Sequence, residues 1–123
     1  MNTKELDGYL KFLSEKQTAV QESGFDVEDS DLSPQLFPFQ KYCVKRALKV
    51  GRFAMFEDCG LGKTYQQLEW AQQVVNHINK PVLILAPLGV IGQTIKEGVH
   101  FGYKVTEIAL TTFDQDLAAG IYI

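Results

Sequence analysis

A glycine-rich run followed by lysine and threonine is the stretch of this sequence best suited to chemistry. Gly60, Leu61, Gly62, Lys63 and Thr64 follow one another directly. Glycines let backbone N–H groups turn inward around phosphate oxygens, and a lysine at this place can reach the β- and γ-phosphates of a nucleotide. The threonine hydroxyl is the usual Mg²⁺ ligand of such loops. The run therefore predicts a phosphate-binding (Walker A) loop, with Lys63 and Thr64 as catalytic candidates and Thr64 as the Mg²⁺ ligand.

The sequence on either side of this loop has the order that such a site needs. Residues 53–56 are Phe-Ala-Met-Phe, which we interpret as a buried strand. After the loop, apolar residues recur at helical spacing at Leu68, Ala71, Val75 and Ile78. A helix that begins at the loop adds the partial positive charge of its N-terminus to the phosphate site. The full pattern has glycine where Glu57 stands, so a chance match in a loop without a ligand is the alternative.

The composition is that of an ordinary globular protein. The chain has 123 residues, of which 46% are hydrophobic and 22% charged, so it can form one small domain, and the composition argues against global disorder. No apolar run reaches the length of a membrane span and the polar start is not a signal peptide, so we expect no membrane partner. The two cysteines, Cys43 and Cys59, form neither a disulfide framework nor a zinc pattern. We expect both to be reduced, in a cytoplasmic protein.

The first 35 residues are predicted to be a helix and an acidic linker. Within residues 3–22, Leu6, Leu10 and Leu13 recur at helical spacing, and Gly24 is a stop signal. We interpret this helix as a packing or docking element. Residues 25–35 are rich in aspartate and glutamate, which is typical of a solvated linker, and they lack the spacing of a calcium loop.

A second helix is predicted from residue 36 to about residue 50. Lys41, Lys45 and Lys49 repeat every four residues on one of its faces, and such a row is either a solubilising face or a nucleic-acid contact. The net charge of −3 gives no whole-chain attraction to nucleic acid, so a contact would have to be local. Gln40 has an amide that offers the donor and acceptor that an adenine edge requires, although a surface glutamine is the simpler interpretation.

The second half of the chain alternates predicted strands and helices. Residues 82–86 are apolar throughout, which is the pattern of a central parallel strand covered on both faces. A helix at 89–99, with Ile91, Ile95 and Val99 inward, a strand at 104–110 and the start of another at 121–123 follow. This alternation implies a parallel sheet with right-handed crossovers. The predicted fold class is α/β, with a partial P-loop domain preceded by an N-terminal helical segment.

Three segments, in this order, resemble motifs of the superfamily-two DEAD/DEAH-type helicases. Residues 36–44, which begin Leu-Phe-Pro-Phe-Gln and end in valine, resemble the adenine motif. Residues 56–64 resemble motif I of the chromatin-remodeller-like (Swi/Snf-related) branch, in which an acidic pair stands where Glu57 and Asp58 stand here. Residues 81–97 are similar to motif Ia. The resemblance covers about residues 36–123 and accounts for the absent first glycine.

The resemblance implies an incomplete RecA-like domain over residues 36–123, after an N-terminal helix and acidic linker over residues 1–35. It implies that this domain binds ATP and Mg²⁺. It also implies that the domain forms one wall of a track for nucleic acid, with DNA expected in preference to RNA. The implied nucleotide-binding residues are Gln40, Asp58, Cys59, Gly60, Leu61, Gly62, Lys63 and Thr64. The implied nucleic-acid-binding residues are Pro87, Leu88, Gly89 and Gln93.

Two parts of such a motor are absent from the sequence. No Asp-Glu-x-His or Asp-Glu-Ala-Asp run occurs, so no carboxylate is evident to activate the attacking water. The second RecA-like domain would supply arginines, and losing one costs roughly 10³- to 10⁵-fold in rate. We therefore interpret the chain as the ATP-binding N-terminal part of a helicase or translocase, either a truncated gene product or a split subunit, that binds ATP without hydrolysing it. The remainder of the motor would be supplied in cis or in trans. The alternative is a non-catalytic nucleotide- or partner-binding module.

Overall fold

A computed structural model describes residues 2–16, 21–58, 60–109, 111 and 116–123 of the chain. Its helices and strands are, in chain order, α1 (Thr3–Lys16), α2 (Pro38–Val50), α3 (Lys63–Ile78), β1 (Pro81–Leu83), α4 (Leu88–Phe101), β2 (Val105–Thr106) and β3 (Gly120–Tyr122). A short 3-10 turn at Asp29–Asp31 lies between α1 and α2. The described chain is thus a mixed α/β fold, as the sequence predicts.

The three strands form an open parallel sheet in the order β1-β3-β2. β3 pairs in parallel with β1 on one side and with β2 on the other. The Ile84 N–H continues the β1 ladder by donating to the Tyr122 carbonyl at 2.8 Å. The predicted parallel sheet is therefore confirmed. The prediction that residues 82–86 form a central strand is wrong, because β3, from the far end of the sequence, takes the central position.

Helices cover only one face of this sheet in the described part of the chain. α3 contacts β1 and β3, α4 contacts β2, and the two helices contact each other. On that face Ile84 and Ile121 are 6% and 2% exposed, whereas Leu83 and Leu85 on the other face are 38% and 86% exposed. Successive side chains of a strand point to opposite faces. The predicted burial of residues 82–86 on both faces is therefore wrong, since a single helix layer buries only every second side chain.

One core joins α2, α3, α4 and the sheet. α2 packs against α3, which packs in turn against α4 and the strands. The core residues are Leu32, Leu36, Val44, Leu48, Tyr65, Leu68, Ala71, Val75, Ile84, Tyr103, Ile121 and Ile123. The inward face of α4 includes the buried Thr94 and Gly98. Val99 is 75% exposed, contrary to the prediction that it points inward. It follows the buried Gly98 directly, and successive residues of an α-helix are about 100° apart around the axis.

The N-terminal segment differs from its prediction in two ways. α1 is described over Thr3–Lys16 and has no buried residue, so nothing in the described chain covers its apolar side; residues 17–20 of the predicted helix lie outside the described residues. The acidic segment at 25–35 is not simply solvated, since Leu32 is only 3% exposed and belongs to the core.

Gly24 contacts the end of α2 instead of ending α1. Backbone N–H groups of residues 23–25 donate to the carbonyls of residues 48–50 at 3.0 to 3.2 Å. Those carbonyls are among the four that a helix C-terminus leaves without partners. A Cβ atom on Gly24 would lie 1.6 Å from the Leu48 carbonyl oxygen. Glycine is therefore required here by the close approach of two backbones.

Candidate functional site

The candidate phosphate loop lies directly before α3. Gly60 and Gly62 have φ angles of +80° and +74°, and the helix begins at Lys63. Glycine adopts this left-handed region without the cost that other residues incur. The start of α3, a helix of 16 residues, presents unpaired N–H groups and a partial positive charge. The predicted order of glycine turn and helix is confirmed, and the binding of a phosphate here stays a prediction.

The segment before the loop differs from its prediction. Residues 53–58 form no strand, and Phe53 and Phe56 are 47% and 97% exposed. The predicted buried strand at 53–56 is therefore wrong for the described structure. An apolar run is buried as a parallel strand only where neighbouring strands and helices flank it, and the described strands pair with one another instead.

The Lys63 ammonium group lies against the backbone of its own loop. Its Nζ donates to the Glu57 carbonyl oxygen at 2.6 Å, which closes residues 57–63 into a ring. The lysine side chain is exposed to solvent. A phosphate oxygen carries a negative charge that a carbonyl oxygen lacks, so it attracts the ammonium group more strongly. Lys63 is thus placed to exchange a neutral carbonyl for a phosphate.

Gln40 uses both ends of its amide within the protein. It is 5% exposed; its Oε1 accepts from the Phe37 N–H at 2.9 Å, and its Nε2 donates to the Leu61 carbonyl at 3.0 Å. A Cβ atom on Gly62 would lie 2.4 Å from this Nε2. The side chain therefore ties the start of α2 to the loop. It retains a second N–H and a second lone pair, which are the groups that an adenine edge would use.

A buried amide lies beneath the loop. Gln66 is fully buried, and its Nε2 donates to Glu57 Oε2 at 2.8 Å and to the Leu61 carbonyl at 3.1 Å. Within the described residues, Oε1 of Gln66 and Oε1 of Glu57 have no hydrogen-bond partner. Unsatisfied buried acceptors are costly, so these two oxygens favour a donor such as water. The sequence carries no signal for this role, because a glutamine on an amphipathic helix is normally solvated.

An open cavity of about 500 Å³ adjoins this amide. Its lining includes the polar side chains of Glu57, Lys63 and Gln66 and the apolar side chains of Ala47, Phe53, Met55 and Trp70. The cavity brings the loop lysine, an acidic side chain and a buried amide to one place. It has room for solvent and for part of a bound ligand.

The remaining predicted site residues lie on two elements. Asp58, Gly60 and Leu61 are exposed in the loop, Thr64 is half-buried in the first turn of α3, and Cys59 lies outside the described residues. The predicted nucleic-acid contacts Pro87, Leu88, Gly89 and Gln93 are all exposed at the start of α4. The Gln93 amide donates to Glu97 at 2.8 Å. The two sets are thus at the starts of two neighbouring helices, both open to solvent.

A second buried polar cluster fixes α3 on another side. Glu69 is 3% exposed; its Oε1 accepts from the Ser33 N–H at 3.1 Å and from the Gln73 amide at 3.0 Å. Its Oε2 accepts from the Tyr103 hydroxyl. Burial, and then the hydrogen bond to the negative Glu69, raise the pKa of Tyr103 far above its ordinary value. The cluster holds α3 to the acidic segment and to the turn after α4.

Neither a metal centre nor a membrane span is found in the described part of the chain. No group of three or more histidine, cysteine, aspartate or glutamate side chains is placed there to hold a metal ion. No helix there is long and apolar enough to cross a bilayer. Magnesium is commonly held by one or two protein groups together with phosphates and water, so the role of Thr64 as its ligand stays a prediction.

Comparisons with protein-family models, with curated proteins and with solved structures found no match for this chain.

Proposed function

We propose that this chain is the ATP-binding part of the first motor domain of a nucleic-acid-dependent helicase or translocase. One observation carries the proposal: two left-handed glycines lead directly into α3 at Lys63, whose ammonium closes over the loop. The sequence order of the segments at 36–44, 56–64 and 81–97 supports this family over an unrelated nucleotide-binding protein.

Each site residue has a distinct role in this proposal. Backbone N–H groups of the loop and of the first turn of α3 bind phosphate oxygens. Lys63 adds a positive charge at the terminal phosphates, and Thr64 offers its hydroxyl to Mg²⁺. Gln40 contacts the adenine edge while it keeps its bonds to Phe37 and Leu61. ATP, when bound, supplies the phosphoanhydride bond whose hydrolysis drives movement on DNA in the complete motor.

The uncovered side of the sheet supports a larger assembly. β1 has a partner strand on only one side among the described residues. Leu85 and Leu88, just after it, are 86% and 89% exposed. Parallel sheets occur almost only with both faces covered. We propose that the remainder of the motor, in cis or in trans, covers this face and edge.

Nucleotide binding is tested by calorimetry and by thermal melting with Mg²⁺ and ATP. We expect wild type to bind and Lys63→Ala to bind at least about tenfold more weakly, since a charged phosphate contact is lost. Lys80→Ala, at an exposed lysine just before β1, is the matched control and should behave as wild type. At 100 times the dissociation constant, binding should stabilise the fold by about 2.7 kcal/mol. Equal affinities for wild type and Lys63→Ala would contradict the proposal.

The second candidate is a nucleotide-binding module without turnover. The sequence has no Asp-Glu box that could supply a carboxylate to activate the attacking water. We therefore expect negligible ATP hydrolysis by residues 1–123, measured as phosphate release with and without single-stranded DNA. Robust hydrolysis that Lys63→Ala abolishes would show that this expectation is wrong.

The two candidates differ in their response to DNA. A motor fragment should bind DNA through the start of α4, and Gln93→Ala should weaken that binding in the presence of ATP. A nucleotide-binding module should bind ATP equally well but show no effect of Gln93→Ala on DNA. Fluorescence anisotropy with a labelled oligonucleotide separates the two.

A further inference from the structure

One face of α2 carries four basic residues that the nucleotide site does not use. Lys41, Lys45, Arg46 and Lys49, here called the basic stripe, are connected by steps of three or four residues and so share one side of the helix. The opposite side of α2 is buried in the core. The stripe side is open: the side chains of Arg46 and Lys49 are 47% and 46% exposed.

Acidic side chains already occupy this stripe. The ion pairs are Lys45–Asp29 at 2.9 Å, Arg46–Glu22 at 3.2 Å, Lys49–Asp26 at 3.8 Å and Lys49–Glu22 at 3.9 Å. We call Glu22, Asp26 and Asp29 the acidic cover. Every partner is solvent-exposed, and exposed ion pairs are weak and screened by salt. The cover is therefore a set of counter-ions that a stronger polyanion can replace.

The backbone of the cover is fixed independently of its charges. The N–H groups of residues 23–25 cap the carbonyl end of α2, and the Phe25 ring stacks on His77 with centroids 3.8 Å apart. Further along, Leu32 is buried in the core. Only the carboxylate side chains need to rotate away for the stripe to open. Neutralising them should therefore leave the fold intact.

Exposed aromatic rings adjoin the stripe. Tyr42, on the same side of α2, is 70% exposed and, with the four stripe residues, lines an open groove of about 760 Å³. Phe37 and Phe39, at the start of the helix, are 65% and 44% exposed. A basic groove with exposed rings suits single-stranded nucleic acid, because cations contact the phosphates while bases stack on the rings.

We propose that the basic stripe and Tyr42 form a binding surface for single-stranded nucleic acid, and that the acidic cover competes with the phosphates for the same cations. The tethered carboxylates make binding by the wild-type chain weak. None of these residues belongs to the phosphate loop, so the proposal does not depend on ATP binding.

The experiment measures binding of fluorescein-labelled oligo-dT by anisotropy in the absence of nucleotide. The first comparison is between wild type and the cover variant Glu22→Gln/Asp26→Asn/Asp29→Asn. Two further proteins add to that variant either Lys45→Gln/Lys49→Gln or, as a matched-charge control away from α2, Lys80→Gln/Lys104→Gln. Circular dichroism and thermal melting report folding, and the single variant Asp29→Asn serves if the triple variant does not fold.

We expect the cover variant to bind at least about tenfold more tightly than wild type at low salt, with a log–log salt slope of about −3 for four cations on a single strand. The change at Lys45 and Lys49 should abolish this gain, whereas the control should keep it. Equal affinity of wild type and the cover variant overturns the proposal. The proposal is also overturned if Lys45→Gln/Lys49→Gln and Lys80→Gln/Lys104→Gln reduce the affinity for oligo-dT equally, since total charge would then explain the binding.

Two arms test the class of partner. Tyr42→Ala in the cover variant should weaken oligo-dT binding by roughly fivefold or more, since one base loses its stacking partner. A duplex of the same length should bind more weakly than the single strand. If Tyr42→Ala has no effect and polyglutamate competes as well as oligo-dT, the surface binds acidic chains in general and the assignment to single strands is wrong.

Discussion

At the scale of single residues, Gly62 is confined to glycine by two separate constraints. Its φ angle is +74°, and a Cβ atom would lie 2.4 Å from Nε2 of the buried Gln40. Gly60 has only the first constraint, since its φ is +80° and nothing lies within 4 Å of its Cβ position. Comparing substitutions at the two positions therefore distinguishes the free-energy cost of a left-handed backbone from the cost of disturbing Gln40.

Alanine substitution at each glycine measures these costs. Gly60→Ala should cost about 1–2 kcal/mol of unfolding free energy, the cost of a left-handed conformation. Gly62→Ala should cost about 1 kcal/mol more, because Gln40 must give up a buried hydrogen bond. Urea denaturation of the two variants and of Gly62→Ala/Gln40→Ala provides the comparison. Equal costs at the two positions would contradict the role given to Gln40.

Gly24 gives a second residue-scale prediction. A Cβ atom there would lie 1.6 Å from the Leu48 carbonyl oxygen, and a backbone atom cannot move aside as a flexible side chain can. We expect Gly24→Ala to destabilise the fold by at least about 2 kcal/mol, within the range of the more damaging single mutations. Gly8→Ala is the control, because nothing lies within 4 Å of that position in α1. A loss no larger at Gly24 than at Gly8 would show that the cap of α2 is dispensable.

At the scale of elements, the Glu69 cluster explains how α3 keeps its place. The helix carries the candidate loop at its start, and Glu69 ties it to Ser33 and Tyr103. Because Glu69 is buried, each of its oxygens depends on these donors instead of water. The orientation of the loop helix is thus set partly by residues far from it in sequence.

Tyr103→Phe tests this cluster at two pH values. At pH 7 the variant should lose about 1–3 kcal/mol of unfolding free energy, because a buried carboxylate oxygen loses its donor. The pKa of Tyr103 is raised in the folded state, so its contribution is complete below about pH 10 and is lost as the pH rises further. Above about pH 10 the unfolding free energy of wild type should therefore fall more than that of Tyr103→Phe, which has no hydroxyl to ionise at this position. Urea denaturation at pH 8 and at pH 10.5 measures it, with the exposed Tyr42→Phe as control, and parallel pH curves for wild type and Tyr103→Phe would refute it.

At the scale of the whole molecule, apolar surface remains uncovered in the described structure. Phe56, Leu85 and Leu88 are 97%, 86% and 89% exposed. Exposed apolar patches of this kind mark interaction sites or promote association. Among the described residues, β1 is also an open edge of the parallel sheet. Its unpaired backbone groups can pair with another chain and so promote association as well.

This surface should make the isolated chain associate with itself. We expect sedimentation velocity to show larger species as the protein concentration rises, together with binding of the dye ANS. Leu85→Lys/Leu88→Lys should reduce both effects, because a charged side chain opposes burial of this apolar surface in an interface. Val99→Lys, at an exposed position of α4, is the matched control and should change them less. A monomer at all concentrations, without dye binding, would count against an uncovered interface.

The end of α2 and the start of α3 follow from the sequence, whereas the strand predicted at 53–56 does not form. Helical spacing and stop signals are properties of neighbouring residues, so α2 ends where Gly51 takes a φ of +86° and α3 starts at Lys63 after the glycine turn. The site residues that adjoin in sequence are predictable for the same reason. The domain boundary between residues 35 and 36 stays a prediction, and so do the roles of the loop residues.

Contacts between distant segments determine which surfaces these elements share. Pairing of residue 81 with residue 120 places β1 at an edge of the described sheet. The single helix layer on one face leaves Leu85 exposed, although the sequence around it resembles that of a central strand. Gln66 and Glu69 are buried through contacts with segments that lie far from them in the sequence. The acidic cover and the basic stripe are also distant in the chain and meet only in the fold. Periodicity is local, whereas burial and pairing depend on which distant segments meet. For that reason the candidate phosphate loop can be found in the sequence, and the surroundings that hold it cannot.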